Sequence, residues 1–124
     1  MKSNILSISR DVKDLCKSCD YLESNFRSLL ARRLRQSGLE VYEEVPVVYT
    51  FDTDPIPFGH GFMDIVIFDR SQNGYIILEL KITTKDARRQ LKKYMRHFKY
   101  GNILYGVCIN FTRDDIEFNE VRTA

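Results

Sequence analysis

The apolar positions of this 124-residue chain change their period along its length, and each change marks an element. From Val12 to Gln36, the residues Leu15, Cys19, Leu22, Phe26, Leu29, Leu30 and Leu34 recur mostly at steps of three and four. That stripe predicts an amphipathic helix, stopped by Ser37-Gly38. Leu39 to Phe51 is rich in Val and Tyr and predicts a strand. Pro46 gives it a break or an edge position, because proline cannot donate to a ladder. Asp52 to Gly61, with two prolines and two glycines, predicts a loop. Phe62 to Phe68 and Tyr75 to Ile82 predict two further strands around an Asn73-Gly74 turn signal. Lys85 to Tyr100 predicts a second helix with Ala87, Leu91, Tyr94, Met95 and Phe98 on one face. Ile103 to Phe111 predicts a fourth strand, and the polar tail either adds a short strand at Ile116 to Phe118 or frays. The order αβββαβ describes one domain over residues 1–124. It implies a mixed four-stranded sheet of α/β class, at the α+β boundary, with helices packed on it. The crossover helix makes the last strand pair parallel.

Three polar residues interrupt the apolar strands: Asp64, Glu79 and Lys81. A charge inside a sheet is costly unless it is paired or holds a metal. Glu79 and Lys81 share a face because strand side chains alternate. If Ser71 to Gly74 forms a four-residue loop, Arg70 faces Tyr75, Val66 faces Glu79 and Asp64 faces Lys81. A two-residue Asn73-Gly74 turn moves Asp64 opposite Thr83 but leaves it on the same side. Only a one-residue slip would divide the acids between faces. The longer loop is the expected register.

Composition adds a little. Apolar residues make up 44% and charged residues 29%, ordinary for a globular chain. No apolar run approaches a membrane span, and charge returns at Arg10 and Asp11 before any signal-peptide core can form. Cys16, Cys19 and Cys108 are an odd, sparse set, which points to reduced thiols and an intracellular setting, cytoplasm or nucleus. The Cys16-Lys-Ser-Cys19 spacing has no second pair and reads as ordinary thiols. His60 reads as a loop histidine and His97 as a plain helix-surface residue. Net charge is +2, but the cations concentrate in the two helical segments, which suits a polyanion as well as plain solvation.

Two converging carboxylates repel one another and stay ionised together if a divalent cation lies between them. Mg²⁺ (or Mn²⁺) suits a few carboxylates plus water. A lysine beside such an ion can orient water or stabilise charge on a phosphoryl transition state. Asp64, Glu79 and Lys81 therefore fit phosphodiester hydrolysis. The competing structural reading is a locally paired Asp64 and an edge-strand salt bridge between Glu79 and Lys81.

At these residues the chain resembles the PD-(D/E)XK nuclease superfamily: an acid in one strand, Asp64, then Glu79-Leu80-Lys81 in the next. Glu23 stands on the preceding helix, and Gln90-Leu-Lys-Lys-Tyr94 matches a Gln-x-x-x-Tyr helix. The nearest likeness is to small GxxExxY-type proteins, which also share the stretch Gly106 to Phe111; resolvases of Holliday junctions are the second likeness. The chain departs from those patterns at Asp20, Phe26 and Met63, where glycine, tyrosine and proline would stand. The resemblance implies a restriction-endonuclease-like core and a Mg²⁺-dependent nuclease acting on DNA. It implies Asp64, Glu79, the Leu80 carbonyl and Glu23 as metal ligands, Lys81 positioning the attacking water, and Gln90 orienting Lys81 or a phosphate. Tyr94 would pack beside it, and Arg88, Arg89, Lys92, Lys93 and Arg96 would meet DNA phosphates. It also implies a homodimer. Two other functions stay open: a weak or inactive module of the same fold that binds nucleic acid, and an interaction subunit using an exposed Tyr42/Tyr49 patch or the sheet edge.

Overall fold

The computed structural model describes residues 1–16, 23–82, 87–111 and 116–122, without the side chains of Glu23, Ser24 and Pro55. Its elements are α1 (Lys2–Leu15), α2 (Glu23–Gln36), β1 (Glu40–Phe51), β2 (Asp54–Asp69), β3 (Gly74–Lys81), α3 (Arg88–His97), β4 (Ile103–Phe111) and β5 (Ile116–Val121). The strands form one mixed sheet in the order β1-β2-β3-β4-β5. β3 and β4 run parallel across the α3 crossover, as expected, and the other neighbours are antiparallel.

The central strands are apolar on both faces because both faces are covered. On one side Ile65, Ile67, Ile76, Leu78, Leu80, Val107 and Ile109 meet Ile5, Val12, Phe26, Leu30 and Leu34 of α1 and α2. On the other, Val47, Val66, Ile77 and Cys108 meet Leu91, Tyr94 and Met95 of α3. Phe26 stacks on Phe111 with ring centroids 4.3 Å apart, joining α2 to β4. The α3 helix rests on bare backbone: a Cβ at Gly106 would lie 2.8 Å from Met95 Sδ and 3.0 Å from a Leu91 methyl.

Four expectations are corrected. The helix expected over Val12–Gln36 is two helices, and the first begins at Lys2. Their stripes lie nearly in phase, since the interval from Val12 to Phe26 turns an ideal helix by about 1400°, or about 40° short of whole turns. The start of α1 was hidden because a serine fills a core position: Ser9 is fully buried and its hydroxyl donates to the Ile5 carbonyl at 2.7 Å. Leu15, counted in the stripe, is 51% exposed, while Cys19 and Leu22 lie outside the described residues. Second, most of the expected Asp52–Gly61 loop is strand, and β1 and β2 form a long hairpin arm. Before Ile65, β2 pairs with β1 alone, so Pro57, Gly59 and Gly61 occupy a strand with one open edge, where they cost little. Pro46 sits on β1 at the sheet edge, the location proline requires. Third, the tail does form a strand, β5, which makes the sheet five-stranded. Fourth, α3 is shorter than the expected Lys85–Tyr100, and Lys85 lies outside the described residues.

Candidate active site

The β2–β3 loop sets the register. Asp69 accepts hydrogen bonds from the Ser71 backbone N–H (3.0 Å), the Ser71 hydroxyl (2.6 Å) and the Gln72 amide (3.1 Å). Those bonds, Ser71's first, hold its carboxyl below the usual range. This side-chain turn closes the chain at Arg70–Asn73, with Asn73 in the left-handed region (φ 49°). Asp69 therefore faces Gly74 and Phe68 faces Tyr75. The expected register, with Arg70 facing Tyr75 and Val66 facing Glu79, is two residues out: Val66 faces Ile77. An even slip preserves the face. Continued by one step beyond Ile65↔Leu78, the observed register brings Asp64 opposite Glu79 and not Lys81.

Both ladders open at Asp64. On the β1 side the pairing passes from Glu43↔Ile65 to Val45↔Met63, and the intervening Glu44 adopts φ 49°. On the β3 side, pairing ends at Ile65, and the Asp64 carboxylate accepts the Leu80 backbone N–H at 2.8 Å. A side chain thus takes over a ladder position and fixes the carboxylate between two strands. Glu79 is only 4% exposed, and its Oε1 lies 3.8 Å from the Lys81 ammonium. Parallel pairing puts Cys108 beside Glu79 and Asn110 beside Lys81, both buried.

The α3 helix covers this group. Gln90 donates to the Tyr94 hydroxyl at 2.5 Å. Burial, followed by the negative charge of Glu79 and with a smaller contribution from Asp64, pushes the Tyr94 phenol up to about 12. Tyr49 is also pushed up by burial and by Glu79, against a lowering hydrogen bond with Tyr94. Both carboxylates therefore act electrostatically on the α3 side of the sheet. The two tyrosine rings stack at 6.5 Å, and their closeness requires glycine below them. A Cβ at Gly61 would collide with the Tyr49 hydroxyl and lie 2.7 Å from Tyr94 Cε1.

The structure brings Asp64, Glu79, Lys81, Gln90 and Tyr94 to one region. Leu80 contributes backbone there, while its side chain belongs to the opposite core. Arg88, Arg89, Lys92, Lys93 and Arg96 are exposed along α3 and line one open groove with Phe58 and His97. Glu23 begins α2, but its side chain lies outside the description. Among the described residues, no three His, Cys, Asp or Glu side chains gather as a metal cluster. Among the described residues, the oxygen donors that could hold a cation here are the carboxylates of Asp64 and Glu79. Such hard oxygen donors fit Mg²⁺ or Mn²⁺ with water completing the shell, and fit soft metals poorly.

Two histidine readings and one tyrosine reading change. His60 lies exposed on β2 instead of in a loop. His97 is buried, accepts the Thr50 N–H at 3.4 Å and meets the Tyr49 ring edge-on. Burial, then Arg96, Lys99 and Lys93, hold its imidazole below the usual value. Tyr49 is 6% exposed, so it forms no surface patch with Tyr42, which is 46% exposed and bonded to Glu40. Tyr49, Cys108 and Asn110 escaped sequence reasoning as neighbours of the acids. The signal available for the last two was their even spacing along the fourth strand.

A family model for the PD-(D/E)XK nuclease superfamily matches residues 2–123. No match emerges among curated proteins. Among solved structures, the chain is similar to the crystal structure of a protein called SSO0001, at 16% identity and a TM-score of 0.55. The likeness covers 96% of this chain and 66% of that one, so the chain spans just under two thirds of the solved neighbour. At that identity the likeness speaks for the fold.

Proposed function

The chain belongs to the PD-(D/E)XK nuclease superfamily, and from that premise we propose that it is a metal-dependent nuclease hydrolysing DNA phosphodiester bonds. One observation carries this reading. Asp64, bound by the Leu80 N–H, stands one step past the last β2–β3 pair, where the register continued brings it opposite the buried Glu79, whose carboxylate has the Lys81 ammonium 3.8 Å away. A buried Glu79 with half-buried Asp64 and Lys81 beside it is a costly choice for packing alone, given the cost of burying charge.

Asp64 and Glu79 would hold Mg²⁺ or Mn²⁺, with the Leu80 carbonyl and Glu23 as further ligands. The ion would supply Lewis acidity toward a phosphoryl oxygen and its attacking water. The chain's own residues do the rest. Asp64 is fixed by backbone, which limits reorganisation. Lys81 orients water and stabilises negative charge developing on phosphorus. Gln90, held by Tyr94, orients Lys81 or a phosphate. The exposed cations of α3 engage the substrate backbone. The GxxExxY-type likeness and the homodimer belong to the same reading; light scattering on the purified protein tests the second.

The test is cleavage of plasmid, single-stranded and four-way-junction DNA with Mg²⁺ or Mn²⁺. Cutting should vanish in Asp64→Asn and Lys81→Ala, with circular dichroism showing both folded. Undiminished cutting by either folded variant would overturn the assignment.

A further inference from the structure

The hairpin arm carries a feature that phosphodiester hydrolysis does not explain. Beyond the core, the β1–β2 arm ends in exposed apolar side chains: Phe51 is 60% exposed, Ile56 67% and Phe58 50%. Phe51 and Phe58 lie together, ring centroids 4.5 Å apart and tilted by 31°. Phe58 also lines the same groove as Arg88, Arg89, Lys92, Lys93 and Arg96. An aromatic pair and a row of cations thus share one open surface.

We propose that this groove binds an unpaired DNA strand, with phosphates along α3 and bases stacked on the Phe51–Phe58 pair. The inference rests on the nuclease reading and names its substrate class. A row of guanidinium and ammonium groups calls for a polyanion. Exposed rings call for flat apolar faces. A duplex offers the first and hides the second, since its base faces are stacked inside. A single strand offers both on one ligand, and base–aromatic stacking tolerates any sequence.

Ring contacts link the groove to the sheet face that carries the acids. Phe58 lies 6.0 Å from the Tyr49 ring, and Lys93 places its ammonium 4.3 Å over that ring. Tyr49 stacks on Tyr94, which Gln90 holds, and Glu79 acts on both phenols. The basic groove lies on the exposed face of α3, and Tyr94 of the same helix packs on the sheet face that carries Glu79.

The experiment is fluorescence anisotropy in EDTA, where no cutting occurs, with a labelled oligothymidylate and a duplex of equal length. The wild-type chain should bind the single strand more tightly than the duplex. Phe58→Leu, which keeps apolar bulk but removes the ring, should weaken single-strand binding about tenfold and leave duplex binding unchanged. Phe51→Leu should act in the same direction, and Lys92→Ala should lower the salt dependence for both ligands. Equal weakening of both ligands by Phe58→Leu, no weakening of either, or a preference for duplex overturns the proposal. A chain that binds single strands through Phe58 but cuts nothing with Mn²⁺ overturns the nuclease reading and spares this one. A chain that cuts DNA indifferently to Phe58 does the reverse.

Discussion

Replacing Asp64 by alanine and by asparagine separates its structural role from its chemical one. Its carboxylate accepts the backbone N–H of Leu80 at 2.8 Å, at a residue only 1% exposed, so water does not readily replace it. Both variants lose the charge, and with it the same repulsion from Glu79 and attraction to Lys81. The difference between them isolates the acceptor. Asparagine keeps a carbonyl oxygen for Leu80, whereas alanine leaves a buried donor unmet. Asp64→Ala should therefore be less stable than Asp64→Asn by about 1–3 kcal/mol. In a domain of this size that is about 3–5 °C for each kcal/mol. Urea denaturation in EDTA gives the energy, and hydrogen exchange at the Leu80 amide gives its location. Equal stability of the two variants, with equal protection of that amide, would show that the Leu80 N–H does not depend on the residue 64 acceptor. Loss of cutting in both, despite their different stabilities, is the expected functional result.

Other expectations follow from the same geometry. Gly106→Val should force α3 off the sheet where Leu91 and Met95 meet bare backbone, costing about 1–3 kcal/mol and lowering cleavage through displaced Gln90 and Tyr94; urea melts and activity measure both. Phe26→Ala should cost about 3–5 kcal/mol by opening a cavity against Phe111, read from thermal denaturation. Tyr105 is pushed up to about 12, first by burial and then by Glu120 and Asp69. Its neutral form is favoured in the fold, so the stability it contributes is intact below the free phenol value of 10.0 and is lost as pH rises toward about 12. Tyr105→Phe should lose less stability across that window than the wild-type chain, and denaturant titrations at stepped pH should show it.

Much of the core could be read from the chain because its elements obey one rule each. The period-two pattern put Glu79 and Lys81 on one face and Asp64 with them in either even register, while Gln90 and Tyr94 were drawn in by the resemblance to a Gln-x-x-x-Tyr helix and not by any local pattern. The register was harder. Alternation determines the parity of a hairpin but not its offset, and here the offset is set by Asp69 gathering Ser71 and Gln72. The break between α1 and α2 was hidden by two stripes nearly in phase and by a core serine. Proline and glycine misled over residues 54–61, because an arm with an open edge tolerates what a central strand does not. Burial of Tyr49 and His97 depends on that arm folding beside α3, a tertiary fact with no local signal.

The two-carboxylate site is tested most directly by a crystal of the wild-type chain soaked in Mn²⁺, with anomalous difference maps. One strong peak is expected between β2 and β3, with a carboxylate oxygen of Asp64 and one of Glu79 bound directly to the ion. A well-diffracting, Mn²⁺-soaked crystal with no peak there, or with the ion bound elsewhere and both carboxylates turned from each other, would contradict it.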